Sequence, residues 1–190
     1  MAIQSSFKNM VLCLFSVCLI CSALLAVVYA VTKEPIEIAT QNKTTNSIAA
    51  VVPAFDGVPV KDSITVSDKQ YMYYVVSKDG KPVGYAIESS AVGFSGPVNV
   101  MVGMTAEGVV YNTMVLSQSE TPGLGAKCVE PQFADQFKEF DPAVKTLKVK
   151  KDGGDITAIT GSTITSRAFC AAVQTAVDVY KAISENIQTK

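Results

Sequence analysis

Tyr71–Glu88 reads YMYYVVSKDGKPVGYAIE, and its pattern decides the fold of most of the chain. Tyr71–Ser77 is aromatic and β-branched, which suits a pleated, half-buried strand. Lys78-Asp79-Gly80-Lys81 carries the Asp-Gly pair of a two-residue hairpin turn, whose central residues need positive φ. Pro82–Glu88 is then the returning strand. Val98–Met104 and Val109–Leu116 form a second pair joined by Thr105-Ala106-Glu107-Gly108. Gly93-Phe94-Ser95-Gly96, with two glycines, links the pairs. Links this short suit antiparallel neighbours, since a parallel pair needs a long crossover. A meandering antiparallel sheet with one exposed face is expected.

Downstream, the pattern changes. Ser117–Lys127 (SQSETPGLGAK) is a loop, Pro131–Phe140 a short helix and Leu147–Val149 a brief strand, followed by an Asp-Gly turn at Asp152-Gly153. A long helix then runs to about Ile187. Its Phe169, Val173, Ala176, Val177, Tyr180 and Ile183 recur at three- and four-residue spacings and form one apolar stripe. The expected fold is therefore α+β, with this C-terminal helix packed on the sheet.

Upstream lies Val11–Val31 (VLCLFSVCLICSALLAVVYAV), without charge, proline or glycine. As a helix it spans about 31 Å, close to the ~30 Å hydrocarbon core of a bilayer. A secretory signal has a shorter apolar region of ~7–15 residues. Val28-Tyr29-Ala30 nevertheless has the small residues of a cleavage site, so signal and retained anchor both remain open. Lys8 precedes the segment, while Lys33, Glu34 and Glu37 follow it. This slight bias favours a cytoplasmic N-terminus and an exported remainder. The expected organisation is residues 1–10 in the cytoplasm, 11–31 as transmembrane anchor, 32–47 as polar linker and 48–190 as extracytoplasmic domain.

Composition narrows the function. Among 190 residues, 16 Lys and Arg oppose 17 Asp and Glu, so no basic excess exists to grip nucleic acid. Histidine is absent, which removes Ser-His and Cys-His catalysis and leaves a zinc enzyme without its usual ligand. Neither catalytic residues nor metal ligands are assigned. Cys13, Cys18 and Cys21 fall in the apolar segment; Cys128 and Cys170 remain for the domain and allow one disulfide at most. Tyr71, Tyr73 and Tyr74 read as sheet residues. Lys145, Lys148, Lys150 and Lys151 read as a solvated hairpin face or a docking patch for a partner.

Thr157–Ser166 (TAITGSTITS) is rich in hydroxyls and enters the last helix. Such residues cap helices by accepting orphan N–H bonds. The same physics gives a second reading, because a helix N-terminus offers free N–H groups and partial positive charge to a phosphate. Gly161 lets backbone approach the anion, and the hydroxyls add donors.

Thr160-Gly161-Ser162-Thr163-Ile164-Thr165 resembles the S/T-G-A-T-x-T/S signature of FMN-binding domains in bacterial ion-pumping redox complexes, with Ser162 in place of the usual Ala. Glu120-Thr121-Pro122-Gly123-Leu124-Gly125 resembles a second signature of the family, and Gly93–Pro97 with the strand after it resembles its first loop and strand. The family includes the G subunit of Rnf complexes and the C subunit of Na⁺-translocating NADH:quinone reductases; the length favours the former. Beside Ser162, the pattern is broken in two further places: Thr157 stands where the family usually has Asp, and Gln118-Ser119 where a His often precedes the second signature.

The resemblance implies FMN joined by a phosphoester to Thr163, with Thr160, Gly161, Ser162 and Thr165 around the phosphate. It places Glu120, Thr121, Gly123, Leu124 and Gly125 near the flavin ring, with Leu124 covering it. It also implies attachment by a separate Mg²⁺-dependent flavin transferase, since a threonine hydroxyl without a base is a poor nucleophile. The implied role is a single-pass flavoprotein subunit of the bacterial inner (cytoplasmic) membrane, its C-terminal domain on the periplasmic side. It passes electrons among other subunits of a ferredoxin- and NAD-linked ion-translocating complex and is not an enzyme on its own. The quinone-reductase C subunit is the first alternative. The second is an anchored, non-redox extracytoplasmic binding module, which would be colourless.

Overall fold

A computed structural model describes residues 7–188 of the chain. The chain falls into two units, residues 1–43 and 44–190. In the first unit, helix α1 (Phe7–Val51) begins and carries the apolar segment, long and apolar enough to cross a membrane and nowhere buried by protein. The polar stretch expected as linker is helical too and contains Pro35. The proline removes one backbone bond. Extension of an existing helix avoids the cost of nucleation, so a polar stretch of modest propensity can remain helical. Thr32 donates to the Val28 carbonyl at 2.8 Å, and Lys33 lies 4.0 Å from Glu37 one turn on.

The second unit begins with the last eight residues of α1, about two turns. It continues through five strands, β1 (Val60–Val66), β2 (Lys69–Lys78), β3 (Lys81–Val92), β4 (Pro97–Thr105) and β5 (Val110–Ser117). They pair antiparallel in chain order, the meander expected from the turns. Asp79-Gly80 turns with φ of 51° and 75°, as the hairpin reading requires. The β1–β2 turn uses Ser67-Asp68 with φ of 50° and 62°. β1 was not expected: its VKDSITV is charged and largely exposed, and as an edge strand it is held by its ladder to β2.

The two faces of the sheet are packed differently. One buries Tyr85, Ile87, Val98, Val100, Val102 and Met104 against α3 (Thr163–Gln188), whose stripe of Phe169, Val173, Ala176, Val177 and Ile183 is buried as expected. Helix α2 (Pro131–Ala134) and the 3-10 turn after it add Phe133, edge-to-face with Phe169 at a centroid distance of 5.3 Å, and Phe137, tilted against it at 4.7 Å. The other face, expected to be exposed, is covered over its central strands. Val76, Ala86 and Met101 pack there against Ile48, Val51 and Val52. Gly103 permits this, because a Cβ at that position would overlap the Val51 carbonyl. Asn112 Nδ2 adds a bond to the Ala50 carbonyl at 2.9 Å.

Leu147–Val149 forms no full strand; Val149 makes a single parallel bridge to Ile156. The Asp152-Gly153 turn closes with Gly153 at φ 79°, and Asp152 takes two bonds of 2.7 Å from Arg167 on α3. Cys128 and Cys170 are both buried free thiols.

Candidate functional site

The start of α3 is built by its own sequence. Gly161, at φ +76°, turns the chain into the helix. Ser162 donates its N–H to the Ile159 carbonyl at 3.0 Å. Ser166 reaches back one turn, its hydroxyl donating to the Ser162 carbonyl at 2.9 Å and accepting from the Ile159 N–H at 3.0 Å. The backbone N–H groups of Thr163, Ile164 and Thr165 have no carbonyl partner among the described residues. That is the open first turn on which an anion can sit.

The hydroxyls of this segment have different fates. Ser162, Thr165 and Ser166 are buried, Thr160 is exposed and Thr163 is half-buried. Thr163 is the first residue of α3.

Thr121–Leu124 forms the second part of the site. Pro122 and Gly123, the latter at φ +77°, occupy the central positions of a turn, with the Leu124 N–H on the Thr121 carbonyl at 3.2 Å. Proline followed by a positive-φ glycine is the pattern of a type II turn. Gly123 faces open space, and Leu124 is 45% exposed. Leu124 also lies against the other segment: a Cβ placed on Gly161 would stand 3.3 Å from its Cδ2. The two motifs therefore meet in space.

Glu120 joins them. Its carboxylate is buried, one oxygen accepting from the Ser95 N–H at 3.0 Å and the other from the Thr165 hydroxyl. Among the described residues no cation pairs with it. Burial pushes its carboxyl upward, yet the Thr165 hydroxyl and the N–H groups of Ser95, Phe94 and Gly96 outweigh this and hold it below the usual carboxylate range. Gly125 leaves the space this needs: a Cβ there would come within 2.5 Å of the carboxylate and 2.6 Å of Thr165 Oγ1. Gly93, beside the other oxygen, would also collide with it if given a Cβ. The resemblance places Glu120 near the flavin; both its oxygens are held by protein donors.

A cleft of about 390 Å³ adjoins Thr160, lined by Lys127, Phe133, Gln136 and the 157–160 segment. Gln136 shapes its wall, accepting the Thr157 N–H at 2.7 Å and donating to the Thr157 carbonyl at 3.1 Å. Nothing in the sequence marked Gln136 or Lys127, since neither belongs to a motif. Nearby, burial first, then the charge of Glu120, pushes the Cys128 thiol up to about 11. Burial likewise pushes Cys170 up to about 12. Both remain protonated near neutrality and are poor nucleophiles.

Residues 93–178, which contain all three motifs, match the FMN-binding domain family. That match makes this an FMN-binding domain. The G subunit of the ion-translocating oxidoreductase complex of Aliivibrio fischeri is 36% identical over 96% of this chain and 93% of its own. The G subunit of the Na⁺-translocating ferredoxin:NAD⁺ oxidoreductase complex of Acetobacterium woodii is 32% identical over 92% and 91%. Among solved structures, the C subunit of the Na⁺-translocating NADH-quinone reductase of Parabacteroides distasonis is 27% identical, covering 55% of this chain and 57% of its own at a TM-score of 0.43. The chain belongs to the family of G subunits of ion-translocating oxidoreductase complexes.

Proposed function

We propose that this chain carries FMN on Thr163 through a phosphoester and relays electrons within an Rnf-type complex linking ferredoxin and NAD. The observation that carries the reading is the open first turn of α3, where Thr163 stands half-exposed beside Gly161 and three N–H groups have no carbonyl partner among the described residues. Those N–H groups would hold the phosphate, with Thr160 as a further donor. The Thr121–Gly125 turn and the cleft beside Thr160 offer space for the ring; about 390 Å³ lies within the usual range for small-ligand pockets. When bound, FMN supplies the one- and two-electron chemistry that the side chains lack.

Attachment is assigned to a Mg²⁺-dependent transferase using FAD: the Thr163 oxygen–phosphorus bond forms, the bond from that phosphorus to AMP breaks, and the hydroxyl proton passes to a base of the transferase. The apolar part of α1 is read as a single-pass anchor in the cytoplasmic membrane. The Lys8 side is cytoplasmic and residues 48–190 lie on the extracytoplasmic side. The other subunits of the complex are the partners. Full-length chain expressed with such a transferase should show flavin fluorescence that survives denaturing electrophoresis. Thr163→Ala should abolish it. A wild-type band without fluorescence, or a fluorescent Thr163→Ala band, refutes the assignment.

A further inference from the structure

Three stretches far apart in sequence converge on one carboxylate. Ser95 lies 25 residues before Glu120, and Thr165 lies 45 after it. The glycines at positions 93 and 125 leave the room that the carboxylate occupies. A buried anion whose partners among the described residues are neutral donors is a demanding element, since losing any donor leaves charge uncompensated. Its donors come from the loop before β4 and from the first turn of the helix that Thr163 opens. Thr165 is two residues from Thr163 in the same first turn, so its bond to Glu120 ties that turn to the loop before β4, beside the local bonds of Ser162 and Ser166. Thr165 itself, although a threonine in the same signature, is 1% exposed with its hydroxyl committed to Glu120.

We propose that Glu120 is a positioning residue for flavin attachment: by holding Thr165 it fixes the first turn of α3, so that Thr163 is the hydroxyl presented for modification. This rests on the reading of Thr163 as the attachment point, and it concerns how the fold presents that residue. Glu120 touches neither the reacting oxygen nor the phosphorus in this role; it acts through Thr165.

The test uses the full-length chain as substrate of a Mg²⁺-dependent flavin transferase with FAD, in detergent, at a temperature where circular dichroism shows each variant folded. Initial rate is measured per folded molecule, and peptide mass mapping locates the FMN. Thr165→Val, of matching shape but without the hydroxyl, should lower the saturated rate at least about tenfold, the order of loss expected when a reacting group is displaced. Thr165→Ser, which keeps the hydroxyl, should restore most of it. Should Thr165→Val fail to fold, Glu120→Gln, which keeps the shape and loses the charge, carries the same expectation. If folded Thr165→Val or Glu120→Gln labels Thr163 at the wild-type rate and differs only in melting temperature, Glu120 is a structural residue and the proposal fails. Wild-type chain that takes no label at all overturns instead the assignment of Thr163.

Discussion

Both faces of the sheet bury apolar side chains, but only one of them also depends on a close backbone approach. Toward α3 the contact is made by side chains: Val100, Val102 and Met104 meet Phe169, Val173 and Val177. Toward the end of α1 side chains also meet, Val76, Ala86 and Met101 against Ile48, Val51 and Val52, but the approach depends on the missing Cβ of Gly103, which admits the Val51 carbonyl to the strand. Either face is weakened when buried atoms are removed, but the α1 face is also intolerant of an added one at Gly103.

That contrast can be broken most severely at Phe169. Phe169→Ala removes a ring that is 0% exposed and packed against Phe133 and Phe137, and should cost about 4 kcal/mol in urea unfolding. On the other face the damaging change is an addition. Gly103→Ala should cost about 3 kcal/mol, as overpacking against rigid backbone does. Hydrogen exchange should then rise in residues 47–53 and leave α3 protected; a uniform rise would show that the faces are not separable.

A third measurement sharpens the comparison by acting on the side that bears the site. The carboxyl of Glu120 is held below its ordinary value in the folded state, so its contribution to stability is fully present above the unfolded-state value. It is lost as pH falls through the folded one. The stability gap between wild type and Glu120→Gln should therefore be widest near neutrality and close on acidification; a gap that widens in acid would contradict the direction. Smallest is Asn112→Ala, which removes one bond to the Ala50 carbonyl and should cost about 1 kcal/mol by thermal melting, leaving the α3 face untouched.

Much of this was legible along the chain because it is periodic or local. The α3 stripe repeats every three or four residues, and the Asp79-Gly80 turn needs only its own two residues. The Pro122-Gly123 pair likewise writes its turn type locally. β1 escaped because Asp62 interrupts its alternation, and an edge strand gains its order from a neighbour. The helical state of residues 32–47 escaped because its polar composition reads as a solvated connection, while helix supplied by the segment before it lets it propagate. In the site, the motifs were visible one by one, yet Glu120 bonds across 25 and 45 residues. No spacing rule connects such positions.

By itself the sequence determined the uncharged helix near the N-terminus, the antiparallel meander, the amphipathic C-terminal helix and the hydroxyl-rich entry to it. Each follows from side-chain chemistry within a few residues of backbone. Only the tertiary structure decided that the last turn of α1 covers the second face of the sheet, and that Thr165 is consumed by Glu120 while Thr163 is left open. Both outcomes depend on which distant atoms share a space too small for one more carbon or one unpaired charge, and close packing settles that only once the whole chain is folded.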